Sequence, residues 1–365
     1  MRHAMIMAGG SGTRLWPMSR ARLPKQLIPF IHGKSLLEVA MDRLTGLVPP
    51  ERCFICAGET HRQAILSALP KFSPDRYLGE PTGRDTLNAV GFGAAAIGKN
   101  DPDATIAVFT ADHLIEPADV FQKTVERGYA LAEKHADTLV TFGIEPTHAA
   151  TGYGYLELGE PIDGGPAQRV SQFKEKPDAA TAERYVAAGP RRYLWNSGMF
   201  VWRAATLLEC IRRYEPANHE GLMKLRDAWG TPRASSVLQS VYPQLKKISI
   251  DYAVMEPASR DPKVRVAVVP MPVKWLDVGS WPAFGQTRDA DAAGNAVAAE
   301  RHIAIDSKRT LVASNDKGHL IATIGCEDLI VIHTPDATLV CRADQAERIK
   351  DLHKQVGEMF GEGML

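Results

Sequence analysis

The sequence predicts an α/β protein, with a mixed, mainly parallel sheet covered by helices on both faces, then a small β-solenoid-like unit and a terminal helix. Three observations predict it. Apolar, strand-like runs alternate with amphipathic helical stretches over residues 4–144, the pattern of a sheet built from strand–helix–strand crossovers. The first run empties into a glycine loop followed by basic residues, as when an open α/β sheet binds its ligand beyond the carboxyl ends of its strands. From about residue 286 helical periodicity gives way to short, regularly spaced apolar runs between polar turns.

The elements follow in order. Ala4–Ala8 reads as a buried strand and leads into Gly9-Gly10-Ser11-Gly12, where small or absent side chains let backbone N–H groups turn toward an anion. Arg14, Arg20, Arg22 and Lys25 then place cations within one short stretch, a density suited to a triphosphate or pyrophosphate. Two familiar phosphate loops are excluded: no Gly-Lys-Ser/Thr ending follows Gly9 or Gly10, and the last glycine of G-x-G-x-x-G would fall on Leu15. A tight strand-to-helix turn is the plain alternative.

Ser35-Leu-Leu-Glu38 has capping-box spacing ahead of a helix carrying Leu36, Leu37, Ala40, Met41, Leu44 and Leu47. Cys53–Ala57 is the next strand, Thr60–Leu69 a helix, and Ala104–Thr110 a strand running into Ala111-Asp112-His113. The glycine loop and Asp112 both lie at carboxyl ends of strands, so they can meet in one cleft. Asp85 is placed to cap a helix through Ala89–Ile97, Pro117 begins a helix over 117–134, and Thr138–Ile144 is another strand. Helices follow at 204–214, 217–228 and 233–242, then an apolar run at Val264–Val269. Beyond 286, Leu311–Ala313, Leu320–Ile324, Leu329–His333 and Thr338–Cys341 are the short runs, and Ala343–Phe360 closes as a helix. The expected division is therefore a Rossmann-like domain at 1–285 and a β-solenoid-like one at 286–365.

Composition excludes several classes. With 365 residues, 45% apolar and 24% charged, the chain has an ordinary globular core, and 43 basic residues against 43 acidic ones leave no global field to recruit nucleic acid or an anionic membrane. No uncharged run approaches the ~20 residues of a membrane span, and Met1-Arg2-His3 runs straight into the first strand, so the expectation is a cytoplasmic protein. Five scattered cysteines suit reduced thiols, and Cys53-Phe-Ile-Cys56, inside an apolar strand, reads as buried thiols ahead of a zinc or redox pair.

The loop wording, Gly9-Gly10-x-Gly12-Thr13-Arg14-Leu15-Trp16-Pro17 followed by Pro24-Lys25-Gln26, resembles the signature of sugar-1-phosphate nucleotidyltransferases, and within them most resembles the mannose-1-phosphate guanylyltransferases (GDP-mannose pyrophosphorylases). Further blocks are similar to that family in the same order. Glu80-Pro81-Thr82-Gly83-Arg84-Asp85-Thr86 resembles its base-pocket segment through Glu80, Pro81, Arg84 and Thr86, but has Asp85 where the family has Asn, and Leu87-Asn88 where it has Ala-Pro. Thr151-Gly152-Tyr153-Gly154-Tyr155, Val170–Pro177 and Leu194–Trp202 resemble its sugar site, and Ser249–Glu256 also matches without evident chemistry. Read without the resemblance, the same blocks are a loop with a helix cap, an exposed strand end and an amphipathic strand with buried aromatics.

The resemblance implies transfer of GMP from GTP to α-D-mannose 1-phosphate, giving GDP-mannose and pyrophosphate by in-line attack on the α-phosphate with Mg²⁺. Gly9, Gly10, Gly12, Thr13 and Arg14 would bind the triphosphate, and Arg14, Lys25 and Asp112 would be catalytic. Asp112 and Asp277 would hold the metal, two carboxylates being a usual protein contribution to Mg²⁺; each is otherwise a turn cap. Gly152, Glu175 and Asn196 would orient the sugar and Lys176 its phosphate, because a carboxylate accepts from neighbouring hydroxyls and an amide both donates and accepts. The resemblance also implies a homodimer through the tail, and one activity, as the chain stops at Leu365 without the isomerase domain of bifunctional relatives. Two alternatives stay open: a nucleotidyltransferase for another sugar 1-phosphate such as a heptose, and a catalytically silent nucleotide-sugar-binding regulator. Arg14, Lys25, Asp112 and Asp277 are all present, which disfavours the second.

Overall fold

The computed structural model describes residues 1–10, 12–31 and 33–365. Its packing forms two compact units that do not follow chain order. Met1–Gly9, Ala40–Ala111 and Ile115–Trp275 make the first; Gly10–Val39, Asp112–Leu114 and Leu276–Leu365 make the second. The expected boundary at 285/286 followed the chain linearly. By packing, the basic loop goes with the C-terminal part, because Leu15, Trp16, Ile28, Phe30 and Leu36 share one core with Trp281, Phe284, Leu311, Ile330 and Ile349. Periodicity marks a residue as core-facing but not which core it joins.

The first unit is organised on a nine-stranded mixed sheet. Across it run Tyr77–Glu80, Cys53–Gly58, Arg2–Met7, Thr105–Thr110, Tyr193–Arg203, Thr138–Ile144, Arg265–Pro270, Gln168–Lys174 and Tyr155–Pro161. The first four are parallel neighbours, as helical crossovers require. Tyr193–Arg203 then inserts antiparallel between Thr105–Thr110 and Thr138–Ile144, and beyond it only Thr138–Ile144 with Arg265–Pro270 is parallel. Strand alternation buries both faces. Met5, Ile106, Val108, Phe200 and Trp202 share a core with the helix Asp85–Asn100. Phe109 meets Phe121 of the helix Ala118–Lys134 on the other face, with ring centroids 5.5 Å apart. Cys53 and Cys56 are buried, unlinked thiols whose pKa values burial pushes up, to about 11 for Cys53.

In the second unit, Ala296–Ala298, Leu311–Ser314 and Leu329–Thr334 stack in parallel, while Arg301–Ile305 and Leu320–Ile324 pair in parallel as a second ladder. Successive coils thus add a strand to each ladder in turn, which is a short β-helix. Buried Asn295 fixes a corner by donating to the Ser307 carbonyl at 2.9 Å and accepting the Thr310 N–H at 3.0 Å. Antiparallel Ala337–Arg342 covers the last rung. The expected closing helix is two pieces, a 3₁₀ turn at Ala343–Arg348 and an α-helix at Ile349–Phe360. Among the described residues no helix is long and apolar enough to cross a membrane.

Candidate active site

Of the residues expected on the phosphate side, the second unit gathers all but Gly9, which closes the first segment of the other unit. After Met7 the chain turns through Gly10, at φ 104°, and Gly12, at φ 63°, left-handed conformations that glycine adopts without a Cβ penalty. A Cβ on Gly12 would also lie 3.0 Å from that of Lys25, and the Ser19 hydroxyl donates to the Gly12 carbonyl at 2.6 Å, so loop and lysine are packed as one piece. Ser11 lies outside the described residues. Thr13–Leu15 forms a single 3₁₀ turn begun by Gly12.

Lys25, buried at the start of the 3₁₀ turn Lys25–Leu27, donates to Asp112 Oδ2 at 2.6 Å. Asp112, His113 and Asp277 each offer one ligand atom within 4.8 Å of the others. Asp277 ends the short strand Lys274–Asp277, and the next N–H, of Val278, donates to the Asp112 carbonyl at 2.9 Å. The two carboxylates are thus held together by backbone. Burial raises Asp277 above the usual carboxylate range, and the Asp112 charge adds to it; for Asp112 burial acts the same way but Lys25 and His113 together outweigh it, and the net direction is down. Two close carboxylates facing one lysine make an oxygen-rich, negatively charged donor set that fits a hard divalent cation.

The other cations divide. Arg14 reaches Glu347 at 3.0 Å, and its guanidinium lies 3.1 Å from where a Cβ on Gly279 would be. Arg20 is committed to structure, lying over the Trp16 ring and donating to the Met364 carbonyl and to Asp336. Arg22 is exposed.

The first unit holds the remaining candidates in two groups. Buried Glu80, at the end of its strand, accepts from the Tyr242 hydroxyl at 2.6 Å, and its second oxygen lies 3.8 Å from a Cβ position on Gly9. Burial raises its pKa, against the lowering effect of the Tyr242 bond. Arg84 donates to the Pro243 carbonyl, and Thr86 accepts the Ile250 N–H at 2.9 Å; Pro81, next to Glu80, is half-buried. Asp85, at φ 66°, starts the helix Asp85–Asn100 rather than preceding it, and accepts the Thr86 N–H at 2.8 Å. Asn88 is fully buried, donating to the Arg84 and Lys246 carbonyls and accepting from Asn218. Its departure from the family wording is thus a framework substitution.

In the second group, Asn196 accepts from the Thr141 hydroxyl at 2.7 Å and donates to Asp251 at 2.9 Å, while Lys176, at φ 43°, donates to buried Glu175 at 2.6 Å. Asp251 was not expected to have chemistry. Burial and the Glu175 charge push it up to about 7. Gly154 was also missed: a Cβ there would fall 2.6 Å from Glu175 Oε2, and the Gly154 carbonyl accepts the Asn196 N–H at 2.8 Å. Gly152 is exposed, with nothing within 4 Å of a Cβ. Tyr153 meets both Trp195 and Trp275 edge-on, at 5.2 and 5.1 Å, forming an aromatic wall of the kind that lines small-molecule sites. The signal for these was local, an acid in Ser249–Glu256 and two glycines flanking Tyr153, but contact with Glu175 spans the fold.

Residues 3–294 match the nucleotidyl transferase family, and residues 300–356 match the MannoseP isomerase/GMP-like beta-helix domain. The chain belongs to the nucleotidyl transferase family. Among relatives of the family, the xanthan biosynthesis protein XanB of Xanthomonas campestris is 37% identical over 96% of this chain and 72% of its own length. The mannose-1-phosphate guanylyltransferase of Escherichia coli is 34% identical over 97% of this chain and 73% of its own. The crystal structure of mannose-1-phosphate geranyltransferase from Thermus thermophilus superposes with a TM-score of 0.85 at 36% identity, covering 97% of this chain and 99% of that one. Membership makes the chain an enzyme of sugar-1-phosphate nucleotidyl transfer.

Proposed function

We propose that the enzyme transfers GMP from GTP to α-D-mannose 1-phosphate, releasing GDP-mannose and pyrophosphate. A phosphate oxygen of the sugar attacks the α-phosphorus in line, so no protein nucleophile is needed and the protein's task is positioning and charge neutralisation. The observation that carries the reading is the cluster of Lys25 against Asp112 at 2.6 Å, with Asp277 and His113 within metal-ligand spacing and the glycine loop packed on Lys25.

The backbone of Gly9, Gly10 and Gly12, with Thr13 and Arg14, binds the triphosphate. Arg14 leaves Glu347 to do so, and Lys25 and Arg14 offset the charge growing on the leaving pyrophosphate. Asp112 and Asp277 hold Mg²⁺, which when bound supplies a Lewis acid and a template for phosphate oxygens. Glu80 reads the base: with one oxygen fixed by Tyr242, its carboxylate accepts N–H groups such as those on one edge of guanine, and Pro81, Arg84 and Thr86 frame it. Glu175, Asn196 and Asp251 bind sugar hydroxyls, Gly152 and Gly154 give the backbone access, and Lys176 takes the sugar phosphate. We read the assembly as a homodimer through the terminal helix, whose Met359 and Phe360 are 72% and 68% exposed.

The test is product analysis by phosphorus NMR with GTP, mannose 1-phosphate and Mg²⁺. GDP-mannose and pyrophosphate should form in equal amounts. GTP consumed without a sugar nucleotide, or no reaction at all, would overturn the reading.

A further inference from the structure

We propose that the β-helix carries a second metal site, built from Asp316, His319 and His333, that takes a divalent transition-metal ion of the zinc class. These three residues each present one ligand atom within 4.8 Å of the others, and none of them belongs to the nucleotide or sugar groups above.

The sheet register builds the site. Ser314 pairs with His333 on neighbouring parallel rungs, so the turn that follows Ser314 comes down beside the His333 side chain. That turn is tied by its own acid: the Gly318 N–H donates to Asp316 Oδ1 at 2.9 Å, and the Ser314 hydroxyl accepts the Asp316 N–H at 3.1 Å. Asp316 Oδ2 then lies 3.9 Å from His333 Nε2. His333 is fixed from its far side, where Nδ1 shares a hydrogen bond with the Thr338 hydroxyl at 2.9 Å, Thr338 being its antiparallel register partner. Each of these ligands thus has one atom occupied by the protein and the other aimed at a common point, the arrangement that outer-shell bonds give to metal-binding histidines.

His319 completes the set. Its ring stacks on that of His333, with centroids 3.6 Å apart and planes 17° from parallel. Ligand atoms about 2.0–2.1 Å from a tetrahedral ion sit roughly 3.3 Å apart, so the 3.9 Å pair needs to close by only about half an ångström. A metal bound to both rings lies in both ring planes, so one ring must swing out of the stack. His319, exposed on the turn, is the one with room to do so. Two imidazoles and one carboxylate suit zinc, cobalt or nickel and do not suit Mg²⁺, which prefers oxygen alone. The site is three protein ligands on neighbouring rungs and the turn between them, and its consequence is a metal-dependent gain in stability of the β-helix.

The experiment titrates the full chain, stripped with chelator, with Zn²⁺ alone against a chromogenic competitor, and with Co²⁺ alone for its visible absorption. Wild type should bind one equivalent that Asp277→Asn retains, and Zn²⁺ should raise its melting temperature. His333→Ala and His319→Gln should weaken that equivalent at least tenfold and abolish the melting shift, with metal-free melting temperatures close to wild type; exposed His319 is the variant that keeps folding out of the comparison. Thr338→Val should weaken binding by about 10-fold, because it frees the His333 ring without removing a ligand. Undiminished Zn²⁺ binding in both histidine variants, or loss in Asp277→Asn alone, would overturn the proposal.

Discussion

In the proposed reaction the chemistry rests on Lys25 and Asp112. Lys25 sits buried with its ammonium on one oxygen of Asp112, so removing either leaves the other with an uncompensated charge next to Asp277. Lys25→Ala or Asp112→Ala should lower turnover on the order of 10²–10³-fold, as seen when single charge-stabilising contacts are lost elsewhere, and steady-state pyrophosphate release reads it. Near-normal turnover in either variant contradicts the assignment. Asp251 gives a test on stability. Its folded pKa, about 7, lies above the ordinary carboxylate value, so between pH 4 and 7 the folded state holds more protons than the unfolded one. Stability from this group is therefore full at the acid end and declines as pH rises through 7. Asp251→Asn should flatten that decline in denaturant midpoints measured from pH 4.5 to 7.5. An unchanged slope contradicts the account. The Asp251 shift was not legible beforehand: its pKa is raised by burial and by Glu175, which is distant along the chain.

At the scale of elements, much of the grammar was readable because it is local. The Ser35–Glu38 box forms reciprocally: Glu38 accepts the Ser35 N–H at 2.7 Å, and the Ser35 hydroxyl accepts the Glu38 N–H at 3.2 Å. The strand at Thr138–Ile144 and the short runs after 286 also follow from pattern alone. Close approaches between elements were not readable. Gly128, in the helix Ala118–Lys134, has Phe142 Cζ 2.8 Å and Val201 Cγ2 3.3 Å from a Cβ position, so the helix lies on the sheet because that residue has no side chain. Gly128→Ala should destabilise by about 1–2 kcal/mol, overpacking outweighing the better helix propensity of alanine, as read by urea denaturation. A stabilised variant would contradict the packing. The signature loop shows another long-range tie, with the Trp16 indole donating to the Met364 carbonyl at 2.9 Å and the Ala21 N–H to Leu365 at 3.1 Å. Deleting residues 361–365 should cost about 1–3 kcal/mol at 0.5–1.5 per bond, and raise KM for the nucleotide more than it lowers kcat. Unchanged KM would detach the tail from the loop.

For the whole molecule, the fold class and the nucleotidyl-transfer activity were legible while the distribution of the core was not. A glycine loop followed by cations suggested a phosphate site, and it was the resemblance of that loop and of a set of spaced blocks to a known family that named the chemistry. Which compact unit each block joins was hidden, since Gly10–Val39 and Asp112–Leu114 leave the sheet's unit for the β-helix's by contacts far apart in sequence. The second unit thus holds Arg14, Lys25, Asp112 and Asp277, and the first holds Glu80, Glu175, Asn196 and Asp251. In the proposed reaction the former act on phosphates and the latter choose base and sugar. Substitutions in the first unit should accordingly move specificity more than maximal rate. The measurement that tests the central claim most directly is pyrophosphate release with Mg²⁺, across the four nucleoside triphosphates and a panel of sugar 1-phosphates. Release should be confined to GTP with mannose 1-phosphate. Release confined to another pair would contradict the substrate assignment, and no release with any pair, alongside tight GDP-mannose binding, would contradict the catalytic claim itself.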